Sequence, residues 1–268
     1  MYYPRLTVIT PSFNQAQFIE RTILSVISQN YPNLEYFVVD GGSTDGTIDI
    51  IRQYESHISW WVSEPDNGQA HAINKGLRRA TGEWVGWQNS DDIYYPSSLY
   101  SLAFHINRFP SSGLIIGNMS LIDLDDHLIR NIIYVKPTYH SLLAEGMVLS
   151  NQASFWRHSL HKDLGFLTEN LHYSFDYEWF LRLTSQCDAV YVNKIWGALR
   201  QHGETKSHLN PNDFALENAL ILQGREPSTV KKVFFTIRRV ALMLLHGHFI
   251  YVLRGLLRRP LIFFRGTF

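Results

Sequence analysis

Two adjacent carboxylates, Asp91 and Asp92, directly follow a short apolar run at residues 84–87. Such a run predicts a buried parallel strand, and the carboxylates come where that strand leaves the sheet. Ligands of open α/β sheets bind at the carboxyl ends of the strands. Because neighbouring carboxylates repel each other when partly buried, a divalent cation or a polar ligand commonly accompanies them. The pair therefore predicts a ligand site, with a surface turn or a helix cap as the alternative.

The elements that must position this pair alternate between strand and helix. Helix patterns separate four strand patterns, which cover residues 6–10, 36–39, 58–62 and 84–87. This alternation predicts a parallel sheet with right-handed crossovers and helices on its faces. All four strands then end at one edge, which collects the polar residues Ser12, Asn14, Asp40, Glu64, Asp66, Asp91 and Asp92.

The loops at this edge contain no glycine-rich phosphate motif of the dinucleotide or Walker type, and Gly41-Gly42 does not match either motif. A bound diphosphate would therefore need another source of positive charge, and a metal held by Asp91 and Asp92 would supply it. Asp40 ends the second strand, where a carboxylate suits hydrogen bonding to a ribose hydroxyl or a base N–H. A plain turn residue is the alternative for Asp40.

The composition is that of an ordinary globular protein, with 45% hydrophobic and 18% charged residues among 268. The single cysteine, Cys187, excludes an intramolecular disulfide framework and fits a reducing compartment. The N-terminus has neither the basic start nor the long apolar centre of a signal peptide. These features predict a cytoplasmic protein.

Seven stretches, in order and in spacing, resemble a family 2 glycosyltransferase of the GT-A type. They read VITPSFN at 8–14, VVDGGSTDGT at 38–47, SEPDNG at 63–68, NKG at 74–76, NSDD at 89–92, QASFWR at 152–157 and FDYEWFLRL at 175–183. The resemblance covers residues 5–210. It implies a Rossmann-like, mainly parallel sheet flanked by helices. It also implies an inverting enzyme of bacterial polysaccharide or glycolipid biosynthesis, acting on a UDP-, dTDP- or GDP-linked sugar and a glycan or lipid-linked acceptor.

The resemblance assigns most of the loop residues to the sugar donor. Asp40 would bind the base or the ribose, and Asp91 would contact the ribose. Asp92 would hold the divalent metal, Mn²⁺ or Mg²⁺, that bridges the diphosphate. His202 lies in a stretch at 199–207 that resembles the loop closing over the diphosphate, where Lys206 would face phosphate; His202 would be a second metal ligand or else an ordinary loop histidine. The other donor-site residues implied are Pro11, Ser12, Phe13, Asn14, Asp66, Gln69 and Lys75.

Asp176 matches the general base of the family. Sugar transfer needs a base because the acceptor hydroxyl loses its proton as it attacks the anomeric carbon, and a positioned base contributes about 10²–10⁴-fold in rate. A metal would stabilise the charge that appears on the departing diphosphate. Because Asp176 also begins a helix pattern, a helix N-cap is the alternative. Two positions depart from the family pattern: Phe175 stands where many relatives have an acid, and Asn89 replaces the first aspartate of the metal triplet.

The chain divides near residues 224–227 into an acidic body and a basic tail. Residues 1–223 are predicted as the catalytic domain, with a nucleotide-sugar-binding half at 1–110 and an acceptor-binding half at 111–223. Of 24 basic residues, eight lie in 228–268, which has no acidic residue; 16 remain in the body against 24 acidic ones.

The apolar runs of the tail are shorter than the about 20 residues that span a bilayer. We therefore predict basic amphipathic helices lying on an anionic membrane, at its cytoplasmic face. Packing of the tail on the catalytic domain is the alternative. Nucleic-acid binding is not favoured, because the basic residues alternate with large aliphatic ones.

Two other classes of protein stay open at this point. A nucleotidyltransferase also combines a parallel sheet with acidic metal ligands. A basic glycine-rich loop after the first strand would favour this class, and that loop is missing here. A non-catalytic sugar-nucleotide-binding assembly protein is the second alternative. The presence of both Asp92 and Asp176 argues against it.

Overall fold

The computed structural model describes the backbone of residues 2–203 and 210–258, with side chains through residue 255. Lys206 and the residues around it at 204–209, and the end of the tail at 259–268, lie outside the described residues.

The first half of the chain forms the parallel sheet that the alternating pattern predicts. Its strands are β1 (Leu6–Ser12), β2 (Leu34–Asp40), β3 (Trp60–Ser63) and β4 (Trp84–Trp87), in the spatial order β3-β2-β1-β4. Helices α1 (Ile19–Ile27), α2 (Thr47–Gln53) and α3 (Gln69–Arg79) connect them. All three strand contacts are parallel, so the four carboxyl ends meet at one edge.

A topological switch point lies between β1 and β4. The chain winds outward from β1 to β3 and then returns to place β4 on the other side of β1. β1 pairs with β2 as far as Ser12, but with β4 only as far as Ile9. The end of β1 therefore extends beyond its pairing with β4. Open α/β sheets bind their ligands in the crevice at such a point.

The second half makes the sheet mixed. Its strands are β5 (Ile93–Tyr94), β6 (Leu114–Ile122), β7 (Leu128–Ile132), β8 (Ser154–Arg157) and β9 (Ala189–Arg200). Within the described residues the sheet has nine strands in the order β3-β2-β1-β4-β8-β6-β9-β5, with β7 paired to β6. β8 is antiparallel to both β4 and β6, whereas β9 is parallel to β6. The predicted parallel arrangement thus holds for the first four strands, and the complete sheet is mixed.

The remaining helices are α4 (Ser98–Arg108), α5 (Tyr139–Glu145), α6 (His161–Leu164), α7 (Phe175–Gln186), α8 (Pro211–Leu222), α9 (Thr229–Leu245) and α10 (Phe249–Arg258). The predicted helical tail is confirmed in α9 and α10, and α9 packs against α5. Across the two described segments, 2–203 and 210–258, we find no helix with the length and hydropathy needed to cross a bilayer.

A buried aromatic cluster joins β4, β8 and α7. Trp87 and Trp156 meet edge to face at 5.4 Å between ring centroids, and Trp156 meets Trp179 at 5.7 Å. The ring of His161 stacks on Trp179 at 4.6 Å and accepts a 2.9 Å hydrogen bond from Trp156 Nε1. Close-packed aromatic contacts of this kind resist displacement of one element relative to another. The cluster therefore holds the strand that precedes Asp91 against the helix that carries Asp176.

Candidate functional site

The carboxylate of Asp92 is buried and fully hydrogen-bonded. Its residue is 1% exposed. Oδ2 accepts from Gln152 Nε2 at 2.7 Å and from Asn89 Nδ2 at 3.0 Å, and Oδ1 accepts from the backbone N–H of Arg200 at 2.9 Å. Burial, followed by repulsion from Asp91, raises the pKa of Asp92 well above its usual value of 3.8. These contacts tie the turn after β4 to the short turn before β8 and to β9. The predicted contact between Asp92 and a metal stays a prediction.

Asp91 has a different environment from its neighbour. Its side chain is partly exposed, and its Oδ2 lies 3.0 Å from Nε2 of His202. The His202 ring rests on Phe18, with the two ring centroids 4.7 Å apart. The guanidinium of Arg200 donates from Nε to the backbone oxygen of Asp91 at 2.9 Å. The end of β9 thus brings Arg200 and His202 to the turn that follows β4.

Asp91 and His202 have the spacing of two adjacent ligands of one metal ion. Ligands about 2.1 Å from a metal and at right angles to each other lie about 3.0 Å apart. Imidazole and carboxylate are both accepted by first-row divalent metals. The parts of the chain that the structure describes contain no group of three or more His, Cys, Asp or Glu side chains placed to hold a metal.

Asp40 is fully buried at the end of β2, where its carboxylate organises the following loop. Oδ2 accepts from the N–H groups of Gly42 and Ser43, at 3.0 and 2.8 Å, and from the Ser63 hydroxyl at 2.6 Å. Oδ1 accepts from the Ser43 hydroxyl. The predicted contact of Asp40 with a base or a ribose stays a prediction. What the structure adds is that this side chain joins the ends of β2 and β3.

The loops after β1, β2 and β3 converge on Gly41. A Cβ at this position would lie 2.8 Å from Oδ2 of Asp66 and 3.3 Å from the Phe13 ring, so a side chain has no room there. The Phe13 ring is 60% exposed. The carboxylate of Asp66 also accepts from the N–H of Gly68 at 2.7 Å, which fixes the start of α3. Three predicted donor-site loops therefore form one continuous wall.

Two further predicted residues border that wall. Asn14 has a φ of +51°; its side-chain oxygen accepts from the N–H of Thr44, and its own N–H donates to the Ser43 hydroxyl at 2.7 Å. Ser12 is buried, and its hydroxyl has no hydrogen-bond partner among the described residues. An unpartnered buried hydroxyl is costly unless a ligand or a water satisfies it. The predicted contact of Ser12 with the donor stays a prediction.

Gln69 and Lys75 lie on α3. Nε2 of Gln69 donates to Oδ1 of Asn89 at 2.8 Å, which connects the start of α3 to the turn containing Asp91. Nζ of Lys75 pairs with Glu64 at 2.8 Å. The structure therefore brings Gln69 to the carboxylate turn, whereas Lys75 is engaged with the loop after β3.

Asp176 is the second residue of α7, and its Oδ1 accepts from the N–H of Tyr177 at 2.7 Å. The loop before it is held by Glu217 of α8. The Glu217 carboxylate accepts from three successive N–H groups, those of His172, Tyr173 and Ser174, at 2.8, 2.9 and 2.7 Å. His172 also lies beside Gly68, since a Cβ at Gly68 would be 3.4 Å from its Nδ1. The loop that leads to Asp176 therefore reaches the donor-site wall.

Sequence reasoning missed three residues that hold this site together. Gln152 lies in a stretch that resembles the family, but only the fold shows that its amide reaches Asp92. Arg200 is almost fully buried and forms an ion pair with Asp126. Its guanidinium carbon lies 5.6 Å from the centroid of the Phe18 ring. Glu217 resembles any surface acid of an amphipathic helix. The contacts of these three residues have no local sequence signal, because each residue acts on a distant part of the chain.

Comparisons with known proteins agree with this architecture. The family profile "Glycosyl transferase family 2" matches residues 7–165. An uncharacterized glycosyltransferase of Mycobacterium tuberculosis is 31% identical over 196 residues, which are 72% of this chain and 73% of that protein. One of Rickettsia typhi is 30% identical over 200 residues, 69% of this chain and 61% of that protein. The putative teichuronic acid biosynthesis glycosyltransferase TuaG of Bacillus subtilis is 45% identical over 99 residues, 36% of this chain and 39% of that protein.

Solved structures share the fold at low sequence identity. S. aureus TarS 1–349 in complex with UDP-GlcNAc has a TM-score of 0.68 at 20% identity, covering 85% of this chain and 69% of that chain. The mannosyltransferase PcManGT of Pyrobaculum calidifontis, in complex with GDP-Man and Mn²⁺, has a TM-score of 0.57 at 20% identity, covering 91% of this chain and 81% of that chain. The predicted GT-A fold is confirmed.

Two of these relatives are matched over only part of their length. The chain spans less than two thirds of the Rickettsia typhi and Bacillus subtilis proteins. The family profile nevertheless covers more than half of the chain, and the sheet edge has the architecture that the sequence motifs predict. The chain belongs to glycosyl transferase family 2.

Proposed function

We propose that this protein transfers a sugar from a nucleotide-diphosphate sugar to a hydroxyl of a glycan or lipid-linked acceptor, with inversion at the anomeric carbon. The observation that carries the proposal is the convergence of the Phe13–Gly41–Asp66 wall and the Asp91–His202 pair at the switch point of the sheet. Structural relatives are described in complex with UDP-GlcNAc and with GDP-Man, which supports a nucleotide-sugar donor.

The donor would lie along the edge formed by β1, β2 and β4. The exposed ring of Phe13 offers a face on which a base can stack, and the buried Ser12 hydroxyl offers a hydrogen bond beside it. Gly41 lets Asp66 and the Phe13 ring pack closely against the backbone, because it has no side chain of its own. Pro11, Asn14 and Asp40 support this wall, and Asp40 acts through the loop that it organises.

Asp91 and His202 would hold the divalent metal, Mn²⁺ or Mg²⁺, on the diphosphate. When bound, the metal neutralises the charge that grows on the leaving diphosphate. The residues of the chain supply the geometry: Arg200 holds the backbone of Asp91, Phe18 supports the His202 ring, and Asp92 fixes the turn from within. The complex of PcManGT with Mn²⁺ supports a divalent metal in this fold.

Asp176 would be the general base. An inverting transfer needs one base, which takes the proton of the acceptor hydroxyl while the hydroxyl oxygen bonds to the anomeric carbon and the diphosphate leaves. Asp176 fits this role because the loop before it contacts the start of α3, next to the donor-site wall. Glu217 would be a positioning residue, since its carboxylate accepts hydrogen bonds from three backbone N–H groups of that loop.

The acceptor-binding half would be residues 111–223, with residues 1–110 binding the donor. The teichuronic acid assignment of TuaG supports a cell-envelope polysaccharide or glycolipid as the product. We place the enzyme at the cytoplasmic face of an anionic membrane, to which the basic tail at 228–268 would attach it.

A binding and turnover panel tests the proposal. UDP-, dTDP- and GDP-linked sugars are screened for thermal stabilisation of the full chain with Mn²⁺ or Mg²⁺. The stabilising donor is then incubated with glycan and lipid-linked acceptors, and the anomeric configuration of the product is determined by NMR. Metal-dependent stabilisation and an inverted product are expected. Stabilisation without turnover on any acceptor would favour the non-catalytic binding protein, and a retained configuration would refute the single-base mechanism.

A further inference from the structure

The helix α9 has an apolar face that packs on nothing in the described chain. Val230, Val233, Phe234, Ile237 and Leu245 are all exposed and recur at the three- and four-residue spacing of one helix face. The opposite face points inward: Met243 is buried, and Arg239 pairs with Glu145 of α5 at 2.8 Å. The helix is therefore attached to the body by one face and exposes hydrophobic side chains on the other.

The exposed apolar surface continues onto α10. A turn at Gly247, with φ of +83°, connects the two helices, and the N–H of His248 donates to the Met243 oxygen at 2.9 Å. Phe249, Ile250 and Leu253 are exposed on α10. We define the outer apolar face as Val230, Val233, Phe234, Ile237, Leu245, Phe249, Ile250 and Leu253. An exposed patch of this kind marks an interaction surface rather than an ordinary solvated helix.

Basic side chains lie along one side of the outer apolar face, and the tail contains no acidic side chain. Lys231, Lys232 and Arg254 are exposed, Arg238 is half-buried, and residues 228–268 contain no Asp or Glu. An apolar stripe bordered by basic side chains is complementary to one surface above others, an anionic bilayer, which supplies an apolar interior and a layer of negative charge. A symmetric contact with a second copy would instead bring the basic flanks of both copies together.

A groove of about 370 Å³ opens beside α9. Phe109, Val190 and Leu242 supply apolar lining, while Lys136, Arg238 and His246 bring nitrogen groups to it. Lys136 is only loosely paired, with Nζ 3.7 Å from an oxygen of the exposed Asp188. Arg238 belongs both to the groove and to the basic flank of the outer apolar face. A lipid headgroup at the bilayer surface would therefore meet this groove.

We propose that the outer apolar face of α9 and α10 inserts into an anionic bilayer and that the groove beside it binds the phosphate of a lipid headgroup. The proposal rests on the proposed function in one respect, since it identifies the surface that would bring the enzyme to a membrane. It places Phe234 and Ile237 at the depth of the acyl chains and Arg238 at the depth of the phosphates. Binding then needs both the apolar face and the cation.

The test is co-sedimentation of the full-length protein with vesicles of phosphatidylcholine alone or with one third phosphatidylglycerol. Phe234→Ser combined with Ile237→Ser removes the apolar anchor, and Arg238→Gln removes the cation of the groove. Leu128→Ser is the matched control, because Leu128 on β7 has the same 59% exposure as Phe234. We expect wild type and Leu128→Ser to bind phosphatidylglycerol vesicles. The double variant should bind about tenfold or more weakly, and Arg238→Gln should lose most of the preference for phosphatidylglycerol.

Three results would overturn the proposal. The first is a wild-type protein that ignores phosphatidylglycerol vesicles. The second is a double variant that binds them as well as Leu128→Ser does while changing the oligomeric state in size-exclusion chromatography, which would assign the face to a second copy. The third is stabilisation by soluble glycerol phosphate, lost in Arg238→Gln, without vesicle binding, which would make the groove a site for free phosphate.

A parallel measurement separates this proposal from the proposed function. Thermal stabilisation by the nucleotide-sugar panel should be the same in wild type and in the double variant, which also confirms that the variant is folded. If no donor stabilises either protein while vesicle binding behaves as expected, the membrane surface stands and the proposed transfer activity fails.

Discussion

The imidazole of His202 lies 3.0 Å from the carboxylate of Asp91, across the gap between the end of β9 and the turn after β4. The next residue, Asp92, faces the other way and accepts three hydrogen bonds inside the protein. Two adjacent aspartates thus have different environments, because Asp91 is partly exposed and Asp92 is buried. Asp91 lies beside His202, whereas Asp92 holds the turn from within.

Asp92→Ala should destabilise the protein. The substitution leaves the amides of Gln152 and Asn89 and the N–H of Arg200 without their acceptor, and each buried group left unsatisfied costs about 1–3 kcal/mol. Urea unfolding should show a loss of at least about 2 kcal/mol relative to wild type. Asp91→Ala is the control and should cost less than about 1 kcal/mol, because its side chain is partly exposed. Equal stability of the two variants would refute the structural role of Asp92.

Asp176→Asn should reduce turnover by about 10²–10⁴-fold with little change in donor affinity. The amide keeps the size of the side chain and an oxygen that can accept from the Tyr177 N–H, but it cannot take a proton. Asp163→Asn, an exposed position in the first turn of α6, is the matched control and should keep full turnover. Steady-state and donor-binding measurements on the same preparations provide the comparison. Near-full turnover in Asp176→Asn would remove this residue from the mechanism.

Glu217→Ala should lower kcat while donor affinity stays nearly constant. Without the carboxylate, the N–H groups of residues 172–174 lose their acceptor and the loop before Asp176 is no longer fixed. Glu217→Gln should recover part of the lost kcat, because the amide oxygen still accepts hydrogen bonds. A purely structural role would instead reduce stability and donor binding together. The exposed Glu226→Ala is the control and should match wild type in all three measurements.

His161 should make stability depend on pH below neutrality. Burial lowers the pKa of His161 from 6.5 to about 4, and its neutral ring accepts from Trp156 Nε1 while the other nitrogen contacts the Gly165 oxygen. The unfolded chain therefore binds more protons between these two values. The contribution of His161 is complete above pH 6.5 and is lost as the pH falls toward about 4, for a total of about 3 kcal/mol.

The measurement is urea unfolding of wild type and His161→Gln at several pH values from 7 to 4. The difference in free energy of unfolding between the two proteins should shrink as the pH falls. A difference that stays constant over this range would mean that His161 does not titrate below its ordinary pKa.

The first four strands were predictable because each forms a local pattern that is followed by a helix pattern. The mixed part of the sheet was not, since β6 and β9 pair across a long stretch of intervening chain and β8 inserts between β4 and β6. The spacing of apolar residues within a strand does not indicate which distant strand it pairs with.

The residues of the site were largely predictable by type, but their division of roles was not. The NSDD motif identifies the turn after β4 and says nothing of which carboxylate is buried. That choice is made by Gln152, in the short turn before β8, and by the Arg200 N–H on β9. Asp40 is a similar case, because Ser63 from the neighbouring strand turns it toward the interior of its loop.

Metal-dependent binding of a nucleoside diphosphate is the most direct test of the proposed site. UDP and GDP are titrated calorimetrically into wild type and Asp91→Asn, with Mn²⁺ and then with excess chelator. The account predicts that wild type binds one of the two with Mn²⁺ and at least about tenfold more weakly with chelator. Asp91→Asn should bind weakly in both conditions while unfolding at the wild-type urea midpoint. Equal affinity with Mn²⁺ and with chelator, or full metal-dependent binding in Asp91→Asn, would contradict the site, and so would failure of wild type to bind either nucleotide.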